Sequence, residues 1–233
     1  MKLVKATLAL EFSTDRRSVA VVRGGKILSE AVQNSGRSTR VFSLIEEALA
    51  KSGVDRGEIG RIALGIGPGS YTGIRLAISV AQGWRLATGK IADPTQDSAD
   101  ALDALNTVDV VAVSSFEVLA AQFDGPVLLV SDAQRDEWAV ARVEKRSCPE
   151  APRLLTANEV KALSVGTRVI GAEVVALLGV GETYFPSAGS LGILGEKIRE
   201  SVAPESLAPV YLRVAAFVKA LPSRVIAGIT DGL

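Results

Sequence analysis

The 233-residue chain has no histidine, a single cysteine and no net charge, with 26 basic residues against 26 acidic ones. Without histidine, neither a Ser-His-Asp nor a Cys-His relay can be assembled, and a His-Glu-x-x-His zinc centre is excluded. Cys148 alone can neither close an internal disulfide nor supply a structural zinc site, which fits a reducing compartment. Balanced charge leaves no overall basic field to gather nucleic acid unaided. No run of eighteen apolar residues exists, so no membrane span is expected. The short apolar run at 6–10 stops at Glu11 with no cleavage site behind it, so no signal peptide is expected either, and the expected location is cytoplasmic.

What the chain does have is concentrated in residues 65–84, GIGPGSYTGIRLAISVAQGW. A strand end, a glycine-loaded turn and a helix follow one another without spacer. Ser70 or Thr72 can cap that helix, and its open N–H groups suit an anion. No Gly-Lys-Ser/Thr closes the turn, so it is not a Walker A loop. Around it, strands are expected at 6–12, 18–23, 26–32 and 61–66, with a helix starting at Ser38 or Thr39, running to Lys51 and ending on Gly53. Residues 91–109 read as a polar surface excursion. A strand at 110–113 and a helix capped by Ser114-x-x-Glu117 come next. The order then repeats: strands at 126–131, 137–144 and 153–155, a helix opened by Thr156-x-x-Glu159, a strand at 167–170, and helices at 173–178 and 191–202. Two rounds of this order predict a duplicated α/β architecture of two mixed sheets covered by helices.

The two helices of the first round carry more apolar surface than one sheet needs. One presents Val41, Phe42, Leu44, Ile45, Ala48 and Leu49. The other presents Ile74, Leu76, Ala77, Ile78, Val80, Ala81, Trp84 and Ala87, leaving only Arg75, Ser79 and Gln82 as a narrow polar stripe. A helix lying on a sheet uses an apolar stripe of roughly 100°. Either the two helices pack on each other and their own sheet, or a shared face is left for a partner.

Carboxylates can still hold magnesium or act as a base. Glu11 ends the first strand ahead of Ser13, Thr14 and Asp15, where actin-like ATPases place an acidic residue beside a phosphate-binding hairpin. No glycine there offers backbone N–H groups to phosphate. The matching segment of the second round, 131–138, has Asp132, Asp136 and Glu137 and again no glycine. Solvated turns are the simpler account of both, with Asp132 and Glu137 the alternative metal ligands. Arg75 can clamp an anion or reach a partner carboxylate. Residues 209–213 read as an extended segment docking the tail onto the body.

Several blocks together resemble the TsaB (YeaZ) family. They are LALEFST at 8–14, GPGSYTGIR at 67–75, SSFEVLA at 114–120, Asp132-Ala133 with Arg135 and Glu137, and PVYLR at 209–213. The resemblance implies an actin-like (ASKHA) fold of two related lobes, 1–113 and 114–233, with 91–109 as an insertion. It implies an accessory, non-catalytic role in making threonylcarbamoyladenosine in tRNA. In that role the chain partners a TsaD-like catalytic subunit, together with a TsaE-like ATPase, and meets tRNA only indirectly. The implied interface is a helix bundle using Val41, Phe42, Ile45, Leu49, Ile74, Ala77, Ile78, Ala81 and Trp84, which a homodimer can share when the partner is missing. No catalytic residue or metal is implied. Glu11, Ser13, Thr14 and Asp132 are the candidates for any nucleotide contact, and ATP with magnesium is expected only at the junction with the partner. Glu11 replaces the family's usual aspartate, and Asp136 its usual glycine. A small ATP-dependent phosphotransferase of the same fold is the competing reading, and a peptidase finds no supporting residues.

Overall fold

The computed structural model describes residues 5–34, 39–88, 108–210 and 212. The polar excursion therefore lies outside the described residues except for its last two positions, as does Ser38. Alternating and continuous apolar runs give the first five strands: β1 (Ala6–Glu11), β2 (Arg16–Arg23), β3 (Lys26–Asn34), β4 (Ile59–Gly65) and β5 (Asp109–Val113). They form a sheet of order β3-β2-β1-β4-β5. The β1–β2 and β2–β3 pairs are antiparallel, and the β1–β4 and β4–β5 pairs parallel.

The second sheet contains β6 (Val127–Asp132), β7 (Glu137–Val143), β8 (Arg153–Thr156), β9 (Val169–Gly171) and β10 (Glu182–Thr183), in the order β10-β9-β6-β7-β8. Counted from its own first strand, it repeats the first sheet's order and the same alternation of antiparallel and parallel pairs. This duplicated topology is the actin-like fold. The strand β10, only two residues long, is too short to leave a periodic signal and was not expected.

Helices α1 (Val41–Ser52) and α2 (Tyr71–Thr88) cover one face of the first sheet. Leu8, Leu10, Val19, Val21, Ile62 and Leu64 pack beneath them. Gly53 takes the left-handed conformation and caps α1, as expected. The start of α1 differs from expectation, because its N-cap is Arg40, whose side chain makes no capping bond. The Arg40 N–H is instead satisfied by the Gln33 side chain at 3.1 Å. Thr39 accepts a hydrogen bond from Arg17.

The opposite face is built of alanines, Ala9, Ala20 and Ala63, and receives α3 (Ser115–Ala120) and α6 (Ala188–Lys197). Although α6 falls within 114–233 by sequence, it packs on the first sheet. Its glycines explain the close approach: a Cβ on Gly192 would collide with Val22, and one on Gly195 would press on Ala63. Both ends of α6 are pinned. Ser18 Oγ accepts from Ala188 N–H at 2.9 Å, and Arg61 Nη1 donates to the carbonyls of Gly195 (2.9 Å) and Ile198 (2.8 Å). It starts three residues earlier than expected and stops at Lys197.

Helices α4 (Ala157–Leu163) and α5 (Val174–Leu178) cover the second sheet, α4 opening on the expected Thr156/Glu159 capping box. Ser114 caps α3, but Glu117 does not close a box. It reaches across to accept from Ser147 Oγ (3.1 Å) and Cys148 N–H (3.0 Å). A bond to a residue 30 positions along the chain outcompetes the local one. The segment after α6 straps α2: Gln82 Nε2 donates to Pro204 O at 3.1 Å, and Val210 N–H to Ile66 O at 2.9 Å.

Candidate functional site

The first hairpin, the glycine turn and α3 meet at Glu11. The side chain is fully buried at the end of β1 and accepts from Ser13 N–H at 2.9 Å and from Ser115 Oγ at 3.2 and 3.1 Å. Ser115 Oγ also accepts from Gly67 N–H at 3.1 Å. Burial pushes the Glu11 carboxyl up, against the pull of hydrogen bonds from Ser13 and Ser115. Gly65 makes room for the glutamate: a Cβ there would strike its carboxylate. Glutamate in place of aspartate is thus accommodated by a matching absence of side chain on β4.

The glycine turn is used for packing. A Cβ on Gly69 would strike the Ser13 carbonyl, and one on Gly73 the Phe12 carbonyl. Ser70 N–H donates to Ser13 O at 2.6 Å, and Ser70 Oγ accepts from Gly73 N–H at 3.3 Å, so Ser70 is the cap of α2. Close backbone approach consumes the freedom that glycine provides. Glu11 is turned away from solvent, and the Thr14-Asp15 turn supplies no glycine nest, so these residues do not fit a magnesium nucleotide.

A cleft of about 1010 Å³ lies between the two halves. Thr14, Asp15 and residues 68–72 line one side; residues 131–135 and Glu173 line the other; Pro209, Val210 and Leu212 enter it. Of the candidates, Thr14 and Asp132 face this cleft, whereas Glu11, Ser13 and Glu137 do not line it. Asp132 is committed to its own hairpin, accepting from Gln134 N–H and Gln134 Nε2, each at 2.8 Å. Gln134, Arg135 and Asp136 all lie in the left-handed region, at φ of 66°, 57° and 61°. At Asp136 the backbone therefore keeps a glycine-like conformation without the glycine. Burial pushes the Glu173 carboxyl up, and the charges of Asp15 and Asp132 push it the same way. This acidic wall is a poor host for a triphosphate. Glu173 was not expected at a site, because only the turn from β9 into α5 brings it to the cleft with Asp15.

Elsewhere, burial and the Glu117 carboxylate push the Cys148 thiol up to about 12, leaving no thiolate for chemistry at neutral pH. Arg75 donates to Tyr71 OH at 2.9 Å, a local bond within α2.

Among the residues expected at a partner interface, Val41, Ile45, Leu49, Ile74, Ala77, Ile78 and Ala81 are buried in the chain's own core. In the chain itself the sheet lies under both arcs, and the strap at 202–207 packs on α2. Phe42 stays 72 % exposed on α1, and Trp84 is half-buried, with no acceptor for its Nε1 among the described residues. Sequence reasoning missed Leu86, 77 % exposed, and Tyr71, 44 % exposed, at the two ends of α2. Leu86 lies four residues past Gln82, on the stripe taken as polar, which was the available signal.

A family model described as TsaD, tRNA N6-adenosine threonylcarbamoyltransferase, matches residues 26–92, the stretch from β3 through α2. The tRNA threonylcarbamoyladenosine biosynthesis protein TsaB of Haemophilus influenzae is 39 % identical over 77 residues, a third of either chain. The Escherichia coli protein of the same name is 26 % identical over 93 % of this chain and 98 % of its own length. A solved Pseudomonas aeruginosa structure, described as similar to peptidase YEAZ, superposes with a TM-score of 0.66 at 25 % identity, covering 90 % of this chain and all of that one. Over nearly its whole length the chain is similar to TsaB (YeaZ) proteins. A second Pseudomonas aeruginosa structure, YeaZ, shares the fold with a TM-score of 0.63. No helix among the described residues is long and apolar enough to cross a membrane.

Proposed function

We propose that this chain is a non-catalytic subunit in the synthesis of tRNA threonylcarbamoyladenosine, binding a TsaD-like transferase through the solvent side of α1 and α2. The observation that carries the reading is the state of Glu11: walled in, hydrogen-bonded to its own hairpin and α3, and unable to reach a phosphate-bound metal. A subunit of this fold that has given up its nucleotide site keeps its helices as its useful surface. Phe42 and Leu86 supply apolar side chains there, in a region that also resembles the transferase family. Apolar anchors of this size dominate interface energies. A TsaE-like ATPase completes the assembly, any ATP and magnesium sit at the junction with the partner, and tRNA contacts this chain indirectly in the cytoplasm. Without the partner, the same helices pair two copies about a two-fold axis.

Reconstituted tRNA threonylcarbamoylation with and without this chain tests the reading. Product should fall to background when the chain is omitted; an unchanged yield would contradict the role. Calorimetric titration with Mg·ATP should give no heat of binding to the isolated chain, whereas saturable binding lost in Glu11→Gln would favour the phosphotransferase.

A further inference from the structure

We infer that the N-terminus of α1 and the Arg17 guanidinium together form a binding site for a phosphate group. The inference is independent of the partner assignment. Three observations carry it. First, Arg17 is a buried charge without a counter-charge. Only 8 % of the residue is exposed, and no carboxylate pairs with it among the described residues. Its Nη1 donates to Thr39 Oγ1, whereas Nε is buried with no acceptor among the described residues. Nη2 has no acceptor among them either and keeps contact with solvent. Burying a charge unpaired is costly, so this one calls for an anion. Second, the guanidinium is aimed at a helix end. Thr39 lies just before the N-cap Arg40, and Gln33, opposite Arg17 on the β2–β3 ladder, accepts from Arg40 N–H at 3.1 Å. Arg17 and its cross-strand neighbour are thus both tied to the start of α1. Third, that end is uncapped. The helix is 12 residues long, Arg40 makes no side-chain capping bond, and the first turn holds no acidic residue. The first bond of the helix runs from Leu44 N–H to Arg40 O at 3.0 Å. Val41, Phe42 and Ser43 therefore present N–H groups with no acceptor among the described residues.

These parts converge on one ligand chemistry. Successive open N–H groups at the positive end of a helix form a ready cradle for an oxyanion. A guanidinium beside them adds charge-assisted hydrogen bonds to the same group. Phosphate has enough oxygens to serve both sets of donors, whereas a carboxylate has only two. Arg40, exposed at the N-cap, adds positive charge at the mouth. Because the guanidinium is open only at Nη2, a terminal phosphate fits it better than one inside an RNA strand. Bound there, the phosphate neutralises Arg17 and completes the helix end together.

Titration of the full chain with inorganic phosphate, followed by NMR at constant ionic strength in sodium chloride, tests this. The N–H signals of Val41, Phe42 and Ser43 and the Arg17 Nε–H signal should shift together and saturate. Arg17→Gln should weaken binding at least about tenfold, the scale of a lost hydrogen bond to a charged group, and the exposed Lys161→Gln on α4 should leave it unchanged. Ser43→Asp is a second variant that keeps the fold, because an acidic side chain suits a first turn. Its carboxylate competes for the same N–H groups, so it should weaken phosphate by a similar factor. Uridine monophosphate should bind like inorganic phosphate, and the phosphodiester UpU markedly more weakly. Shifts that do not saturate, binding indifferent to Arg17→Gln and Ser43→Asp, or an equal response to acetate would each overturn the inference. Equal binding of UpU would overturn the assignment to a terminal phosphate.

Discussion

Replacing Glu11 separates a structural pin from a metal ligand. In Glu11→Ala, Ser13 N–H and Ser115 Oγ lose their buried acceptor. Each orphaned group costs about 1–3 kcal/mol, so a loss of about 2–5 kcal/mol is expected once the relief of unburying an acid is set against it. Glu11→Gln keeps the volume and an acceptor oxygen for Ser13 N–H, and should change stability by less than about 1 kcal/mol near the low-pH end. Its pH dependence is the sharper signature. Because the folded carboxyl is pushed above its ordinary 4.5, the folded state prefers it neutral. The stability this group contributes is complete below pH 4.5 and is lost as pH rises through the raised folded value. Glutamine carries no such penalty, so Glu11→Gln should match the parent at pH 4 and exceed it at pH 7.5 in urea unfolding. A glutamine variant that folds normally but abolishes threonylcarbamoylation in the reconstituted system, or is less stable than the parent at pH 7.5, would refute the reasoning.

Three further outcomes follow from the packing. Gly192→Ala forces a methyl into Val22 beneath α6 and should cost about 1–3 kcal/mol, read as a lower urea midpoint with unchanged slope. Asp136→Gly removes a side chain from a left-handed position and should stabilise by about 0.5 kcal/mol, the relief of strain exceeding the entropy glycine adds to the unfolded chain; a fall in melting temperature would contradict it. Cys148, with its thiol pushed up to about 12, should react with a thiol reagent at pH 8 far more slowly than a free cysteine and at the free rate only after unfolding.

The duplicated architecture was legible because local patterns repeat. Strand, strand, strand, helix, strand, helix recurs in both halves, and each sheet then takes the same order. Caps were read well where the bond is local, as at Gly53 and Thr156-Glu159, and poorly where a distant partner competes, as at Glu117 with Ser147 and Cys148. The placement of α6 on the first sheet was not legible, since three glycines on a helix signal close approach without naming the surface approached. The same limit applied to the apolar arcs. A helical wheel shows that Ala77 and Ala81 are apolar, but not that the sheet and the strap of 202–207 already enclose them. Glu11 was recognised as a departure, yet its fate depended on Gly65 and Ser115, one on a neighbouring strand and the other over a hundred residues away.

Sedimentation velocity of this chain titrated with a TsaD-like subunit tests the central claim most directly, comparing the parent with Phe42→Asp and Leu86→Asp. Both side chains are exposed in the isolated chain, so neither change should alter its own stability by more than about 0.5 kcal/mol. The parent should form a one-to-one complex, and each aspartate variant should bind at least about thirtyfold more weakly, the loss of a 2 kcal/mol anchor. Complexes of unchanged affinity from both variants would show that α1 and α2 are not the joining surface.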